Sequence, residues 1–358
     1  MNWYLLIFFI IALGLYLYSR KLILEQESKL EKYSNFQKDK ESKIAMEAFQ
    51  QQEINKINFT TSQNASKYIT QDNSLEFDKY ISTMTPANLY ARGMQSHHEL
   101  RAFYSSGAFL DITPEEEKRV RNVILEMLNN LNSKNSAYYK YITYWLGKIQ
   151  IAKASNKLES GMPHTLGNMI VMDSEWFKQP RMTTLIHEMT HVHQRMVPFE
   201  FDEMYQQMRY KPYNISDIPG MNAVLLLNRN NPDGMNPNWL WKCPKTGIHW
   251  WIGAVFPTST PSSLTSVNCI ALKLENDSTG NLYYLKQNPT PLRNLTEFVE
   301  YFGNDNGNNY HPNEISAKFG EWYLEDILGA STGKHYSQYE AYQIYKKHFN
   351  NLINTYYK

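Results

Sequence analysis

Leu185-Ile186-His187-Glu188-Met189-Thr190-His191-Val192-His193-Gln194-Arg195 is the stretch from which the rest of the chain is read. Met182, Leu185, Ile186, Met189 and Val192 recur at helical spacing, and a helix is expected from Trp176 to Met196. Residues four apart share one helix face, so His187 and His191 can reach one metal ion. Glu188 then stands where it can reach a water on that ion. Two imidazoles, a third protein ligand from elsewhere and an open position for water make up the donor set of a hydrolytic zinc centre.

A third histidine six residues after His191 would complete a short-range site. That position is Val197, and the glycine expected three after His191 is Gln194. A glutamate on a second helix is the other solution, and Glu314 is the best placed. It lies in His311-Pro312-Asn313-Glu314-Ile315-Ser316-Ala317-Lys318-Phe319-Gly320. Pro312 suits a first helical turn, with Asn313 or His311 as cap. Ile315, Phe319 and Trp322 form an apolar stripe, and the small Ser316 and Ala317 allow a second helix to approach. Glu200, Glu203, Glu300, Glu321 and Glu325 are rival carboxylates. Glu314 lies 123 residues beyond His191 (314 minus 191), so residues 201–309 are expected to form a long insertion.

His-Glu-Met-Thr-His followed by Asn-Glu-Ile-Ser-Ala-Lys-Phe-Gly resembles the gluzincin, thermolysin-like zinc metallopeptidases. The resemblance implies one Zn2+ per chain on His187, His191 and Glu314, with Glu188 as general base. It also implies a donor for the developing oxyanion, for which His335 ranks ahead of Tyr310 and Tyr336. The implied fold is α+β: a mainly helical zincin-like domain with a small antiparallel sheet whose edge strand precedes the motif helix. An extended peptide adds to such an edge through backbone hydrogen bonds. One departure is Lys318, which stands where thermolysin-like enzymes carry a histidine-orienting aspartate. That task is left to Asp326 or a backbone carbonyl. Gly161–Met172 together with Leu185–Arg195 also resembles metallopeptidases encoded by large DNA viruses.

The remaining sequence sets the organisation. Residues 2–18 carry no charged side chain and have Trp3, Tyr4, Tyr16 and Tyr18 at their ends, so residues 1–19 are expected to be an uncleaved transmembrane anchor. Arg20, Lys21, Lys29 and Lys32 follow it, which puts the catalytic part of a single-pass membrane protein on the cytoplasmic side. The Asn-X-Ser/Thr sequons at Asn58, Asn64, Asn214, Asn276 and Asn294 are discounted as chance in an Asn-rich chain. Residues 20–73 read as a helical stalk and then a polar linker, and residues 74–358 as the metallopeptidase domain. Within that domain Thr113 caps a helix to about Leu131, and 136–148 forms another. Residues 149–153 and 168–173 read as strands, with His164 in the turn before the second. Residues 266–273 and 282–286 suggest a hairpin, and 336–356 a final helix.

With 36 basic and 35 acidic residues, no nucleic-acid footprint is present. Cys243 and Cys269 form no C-x-x-C and are open to pairing or to remaining free thiols. The expected activity is hydrolysis of a protein or peptide substrate near a membrane. The alternatives are a tethered, inactive binding module and a metal-dependent hydrolase of a non-peptide amide or ester.

Overall fold

Thr113 starts the helix Pro114–Lys134 with a reciprocal cap. Its hydroxyl accepts from the Glu116 N–H, and the Glu116 carboxylate accepts from the Thr113 N–H. Asn135 caps the next helix, Ser136–Leu146. The computed structural model describes residues 54–357 except 234–237, 286–287, 304–308 and 331–335. Before Ile54 it describes only Arg20, Lys21, Ser28, Lys32, Lys40 and Gln52. Met1–Glu53 and Ile54–Lys358 are separate units, and everything below concerns the second.

The expected 176–196 helix is two helices. The Asp173 side chain caps Ser174–Lys178, the chain breaks at Gln179-Pro180, and Met182–Met196 carries the motif. Proline lacks an N–H and drives the residue before it out of helical backbone; Gln179 has φ −138° and ψ 78°.

Beside the motif helix stands a five-stranded sheet: β1 (Asn58–Phe59), β2 (Phe109–Leu110), β3 (Gln150–Ala154), β4 (His164–Leu166) and β5 (Met169–Asp173). Its order is β1-β3-β5-β4, with β2 also pairing β3. The expected antiparallel sheet is therefore mixed, because β1 and β5 both run parallel to β3. The strand expected at the edge is interior. Gly167, at φ +61°, turns the chain back so that β4 pairs β5 and becomes the edge. His164, expected in a turn, lies on that edge strand.

The insertion builds its own antiparallel sheet from β6 (Tyr210–Pro212), β7 (Trp239–Lys242), β8 (His249–Val255), β9 (Asn268–Asn276), β10 (Leu282–Tyr283) and β11 (Thr290–Pro291). The expected hairpin is its β9–β10 pair. Trp241 and Trp251 are fully buried, so these tryptophans build core. The final helix is Glu340–Tyr356, preceded by a short 3-10 turn at Tyr336–Gln338.

Two expectations are corrected, and a third point, left open, is decided. The domain starts at Ile54, not Ser74: β1 pairs with β3, Ser62–Lys67 is a helix capped by Thr61, and Arg121 donates to the carbonyls of Ile54 and Ile57. The polar composition of 58–73 hid a segment fixed by tertiary contacts. The transmembrane helix, and with it the single-pass membrane location, is also withdrawn. Among the described residues no helix is long and apolar enough to cross a membrane. The longest of them, Pro114–Lys134, carries Glu115, Glu116, Glu117, Lys118, Arg119 and Arg121 within its first turns. Residues 1–19 and most of the expected stalk lie outside the described residues. Finally, Cys243 and Cys269 are both free thiols, Cys243 buried.

Candidate metal centre

The motif helix packs along the helix Pro312–Leu328. A Cβ on Gly320 would stand 3.1 Å from Thr190 Oγ1 and 3.6 Å from Ile186 Cγ2, so only a glycine meets the motif helix there without displacement. Ser316 and Ala317 are fully buried, as their size led one to expect. His311, the alternative cap, is the one used: its side chain accepts from the Asn313 N–H.

This packing brings His187, His191 and Glu314 together. Glu314 Oε2 lies 3.2 Å from His187 Nε2 and 3.8 Å from His191 Nε2. Donors around one tetrahedral zinc would be separated by about 3.3 Å, from metal–ligand bonds of about 2.0–2.2 Å. The three ligand atoms form a group able to hold a metal ion.

The partners of the other ring nitrogens settle the tautomers. His187 Nδ1 is 2.8 Å from Glu321 Oε1, and a carboxylate oxygen only accepts. His191 Nδ1 is 2.8 Å from Gln194 Oε1. The Gln194 amide nitrogen donates to Asn313 O at 3.0 Å and Ser316 Oγ at 2.7 Å, which fixes Oε1 as an acceptor. Both rings therefore carry hydrogen on Nδ1, and the neutral form of each turns a lone pair toward Glu314. His191 Nε2 and Glu188 Oε2 are buried without a hydrogen-bond partner. A ring nitrogen facing a carboxylate needs a proton or a metal ion between them, and a metal ion fits this donor set.

Charge at the site follows the same logic. Burial opposes the imidazolium at His187, but the hydrogen bonds to Glu314 and Glu321 outweigh it and hold its pKa well above the ordinary value. At Glu314 burial is likewise outweighed, by the hydrogen bond from His187 and by the nearby His191, and its pKa is depressed. Glu188 has no such support. Burial, followed by the charge of Asp233, pushes its carboxyl up to about 8.

The insertion supplies the opposite wall. Asn231 Nδ2 donates to Glu314 Oε1 at 3.0 Å and to the Tyr310 hydroxyl oxygen at 2.9 Å. Asp233 Oδ1 accepts from the backbone N–H and the hydroxyl of Thr165 on β4, at 2.6 and 2.9 Å. Glu188, His191 and Asp233 form a second grouping with metal-ligand spacing. It shares His191, whose Nδ1 is already engaged, so the two groupings are alternatives around one ion. A cavity of about 260 Å3 opens over the centre and is lined by Glu188, Glu314, Tyr310, Arg229, His164 and Asp233 among others.

Of the candidate oxyanion donors, Tyr310 lines this cavity, 3.5 Å from Glu314 Oε1. Tyr336 does not: it stacks on Trp322 and donates to Glu325. His335 lies outside the described residues. Glu321, a rival ligand in sequence, instead orients His187, while Asp326, expected in that role, accepts from Tyr342. Glu200 is 2.6 Å from His193 Nε2, Glu203 bonds Gln207, and Glu300 pairs with Lys245. Sequence reasoning missed Gln194, Asn231 and Asp233. The turn signal Asn231-Pro-Asp-Gly marked the loop but gave no reason to place it over Glu314.

No family model matches the chain, and no curated protein or solved structure matches it.

Proposed function

We propose that this chain is a zinc-dependent hydrolase of peptide bonds, with zinc held by His187, His191 and Glu314. The observation that carries the reading is the convergence of the two Nε2 atoms on Glu314 Oε2 beside the buried, unpartnered Oε2 of Glu188. Two imidazoles and one carboxylate suit zinc, and three protein ligands leave a position open. A purely structural zinc has four protein ligands and needs no base.

When bound, the zinc supplies Lewis acidity, which acidifies water and polarises a carbonyl. Glu188 accepts the proton of the attacking water and returns it to the leaving nitrogen. Burial raises the Glu188 carboxyl and a bound dication would oppose that shift, which leaves the group able to take up and return a proton. Glu321 and Gln194 hold the two rings in the tautomer that presents Nε2. The Tyr310 hydroxyl is the donor available to charge developing in the cavity. An extended substrate laid on β4 meets Asp233 at the Thr165 N–H, so peptide binding at that point displaces or bypasses the loop.

The test is cleavage of a mixed peptide library by zinc-loaded wild type beside Glu188→Gln. Cleavage by the wild type alone, with equal zinc in both, supports the reading. Equal cleavage by both excludes Glu188 as base. Cleavage of esters or non-peptide amides, and not of peptides, keeps the centre and replaces the substrate.

A further inference from the structure

Most carboxylates lining the cavity already have a partner. Glu159 accepts from Arg92 Nε and NH2, each at 2.7 Å, and from the Tyr80 hydroxyl at 2.8 Å. Glu314 is held by the histidines and Asn231, Glu321 by His187 and Lys318, and Asp233 by Thr165. Arg229 lines the same cavity and, among the described residues, forms no ion pair. The polar contact of its guanidinium is NH2 to Met162 Sδ at 3.5 Å, and its Nε is buried without a partner. Arg229 is only partly buried, and its guanidinium remains open to an anionic partner. The Arg92–Glu159 ion pair is neutral as a unit, so Glu159 does not supply the missing counter-ion.

The backbone of Arg229 is fixed. Its N–H donates to Ala254 O at 2.8 Å, and Asn228 bridges Val255 at the end of β8. His164 is its neighbour through Met162. His164 Nδ1 is 2.9 Å from Met162 O, which can only accept, so Nδ1 carries the hydrogen. His164 is 2 % exposed, and its Nε2 is buried without a partner on a residue that lines the cavity. Two residues that each carry an unsatisfied nitrogen, one of them a permanent cation, therefore line the cavity over the candidate metal centre.

We infer that Arg229, with His164 beside it, forms a subsite in which the guanidinium binds a carboxylate of the substrate. The inference rests on the hydrolase reading and adds the substrate class: peptides with a negative charge at a fixed distance from the cut bond. A guanidinium presents Nε–H and NH2 in a planar fork that matches a carboxylate. With its hydrogen on Nδ1, His164 offers Nε2 as an acceptor to an N–H of the same substrate. The carboxylate is either a Glu or Asp side chain or the C-terminus of the chain being cut.

The experiment compares acetylated peptides carrying Glu or Gln near the cut bond, each with a free or an amidated C-terminus, on the zinc-loaded full chain. The expected preference for the charged form is about ten- to a hundredfold in kcat/KM, mostly through KM. Preference for Glu assigns the side chain, and preference for the free terminus assigns the terminal carboxylate. In Arg229→Gln the ratio falls to near one, while in His164→Gln it persists. No preference in the wild type, or an undiminished one in Arg229→Gln, overturns the inference.

Calorimetric titration with succinate separates this outcome from failure of the hydrolase reading. If no peptide is cut, succinate binding at least tenfold weaker in Arg229→Gln keeps the subsite, and equal binding removes it. Thermal melts confirm that each variant is folded. Should Arg229→Gln not fold, Arg229→Lys keeps the charge without the fork, and a reduced ratio or weaker succinate binding there supports the subsite while wild-type values overturn it.

Discussion

The cavity has two walls built on different principles. One is the helix pair Met182–Met196 and Pro312–Leu328, whose side chains carry His187, Glu188, His191, Glu314 and Glu321. The other is mostly loop: Glu159 to Pro163, leading into His164 at the start of β4, on one side and Arg229 to Asp233 on the other. On the helices the functional side chains are placed by the 3.6-residue repeat, and His187 is held by Glu314 and Glu321 on the facing helix. On the loops placement depends on distant contacts, namely the Asn228–Val255 bridge and the Arg92–Glu159 ion pair. Glu159 and Ser160 even hold positive φ, 46° and 57°, ahead of Gly161 at 74°. Such backbone costs about 1–3 kcal/mol per strained non-glycine residue and persists where surrounding contacts hold it. The contrast assigns chemistry to the rigid wall and recognition to the loop wall.

The contrast breaks most visibly at Glu188. Replacing it with Gln lowers kcat by about 10²–10⁴-fold while zinc stoichiometry stays at the wild-type value. Steady-state kinetics with elemental analysis check this, and loss of zinc would make Glu188 a ligand instead. On the loop wall, Arg92→Met leaves Glu159 charged and buried. It should cost about 3–5 kcal/mol in urea unfolding. The double variant Arg92→Met/Glu159→Met should recover much of that loss; if it does not, the pair is not what holds the loop.

Smaller effects sharpen the division. Glu321→Ala frees the His187 ring and weakens zinc affinity about ten- to a hundredfold in chelator competition. Asn231→Ala removes one hydrogen bond from Glu314 while Tyr310 stays nearby. Its effect on zinc affinity is smaller, about two- to tenfold for a bond worth about 0.5–1.5 kcal/mol. An Asn231 effect as large as that of Glu321 would mean the loop belongs to the metal centre and the division is wrong.

What was legible in sequence follows the same line. His187, Glu188 and His191 were readable because a helix converts spacing into a shared face. Glu314 was readable because Pro312 starts a helix with a clear stripe, despite the 201–309 insertion. Gln194 showed only as a failed position of another pattern, though it is the residue that orients His191. Pro180 was overlooked as a helix breaker inside an otherwise periodic stretch. Asn231, Asp233 and Arg229 follow no period; they reach the site because the insertion folds its own sheet against the domain. The segment 58–73 looked like linker because its polar residues are used in a cap and in hydrogen bonds, such as Tyr68 to Asn168 at 2.7 Å.

The most direct measurement is metal content of the full chain by elemental analysis, wild type beside Glu314→Ala. Convergence of His187, His191 and Glu314 predicts one zinc per wild-type chain, lost or much weakened in the variant. Zinc retained by Glu314→Ala would move the third ligand to Asp233, and a folded wild type that takes up no metal when zinc is supplied would contradict the metal centre itself.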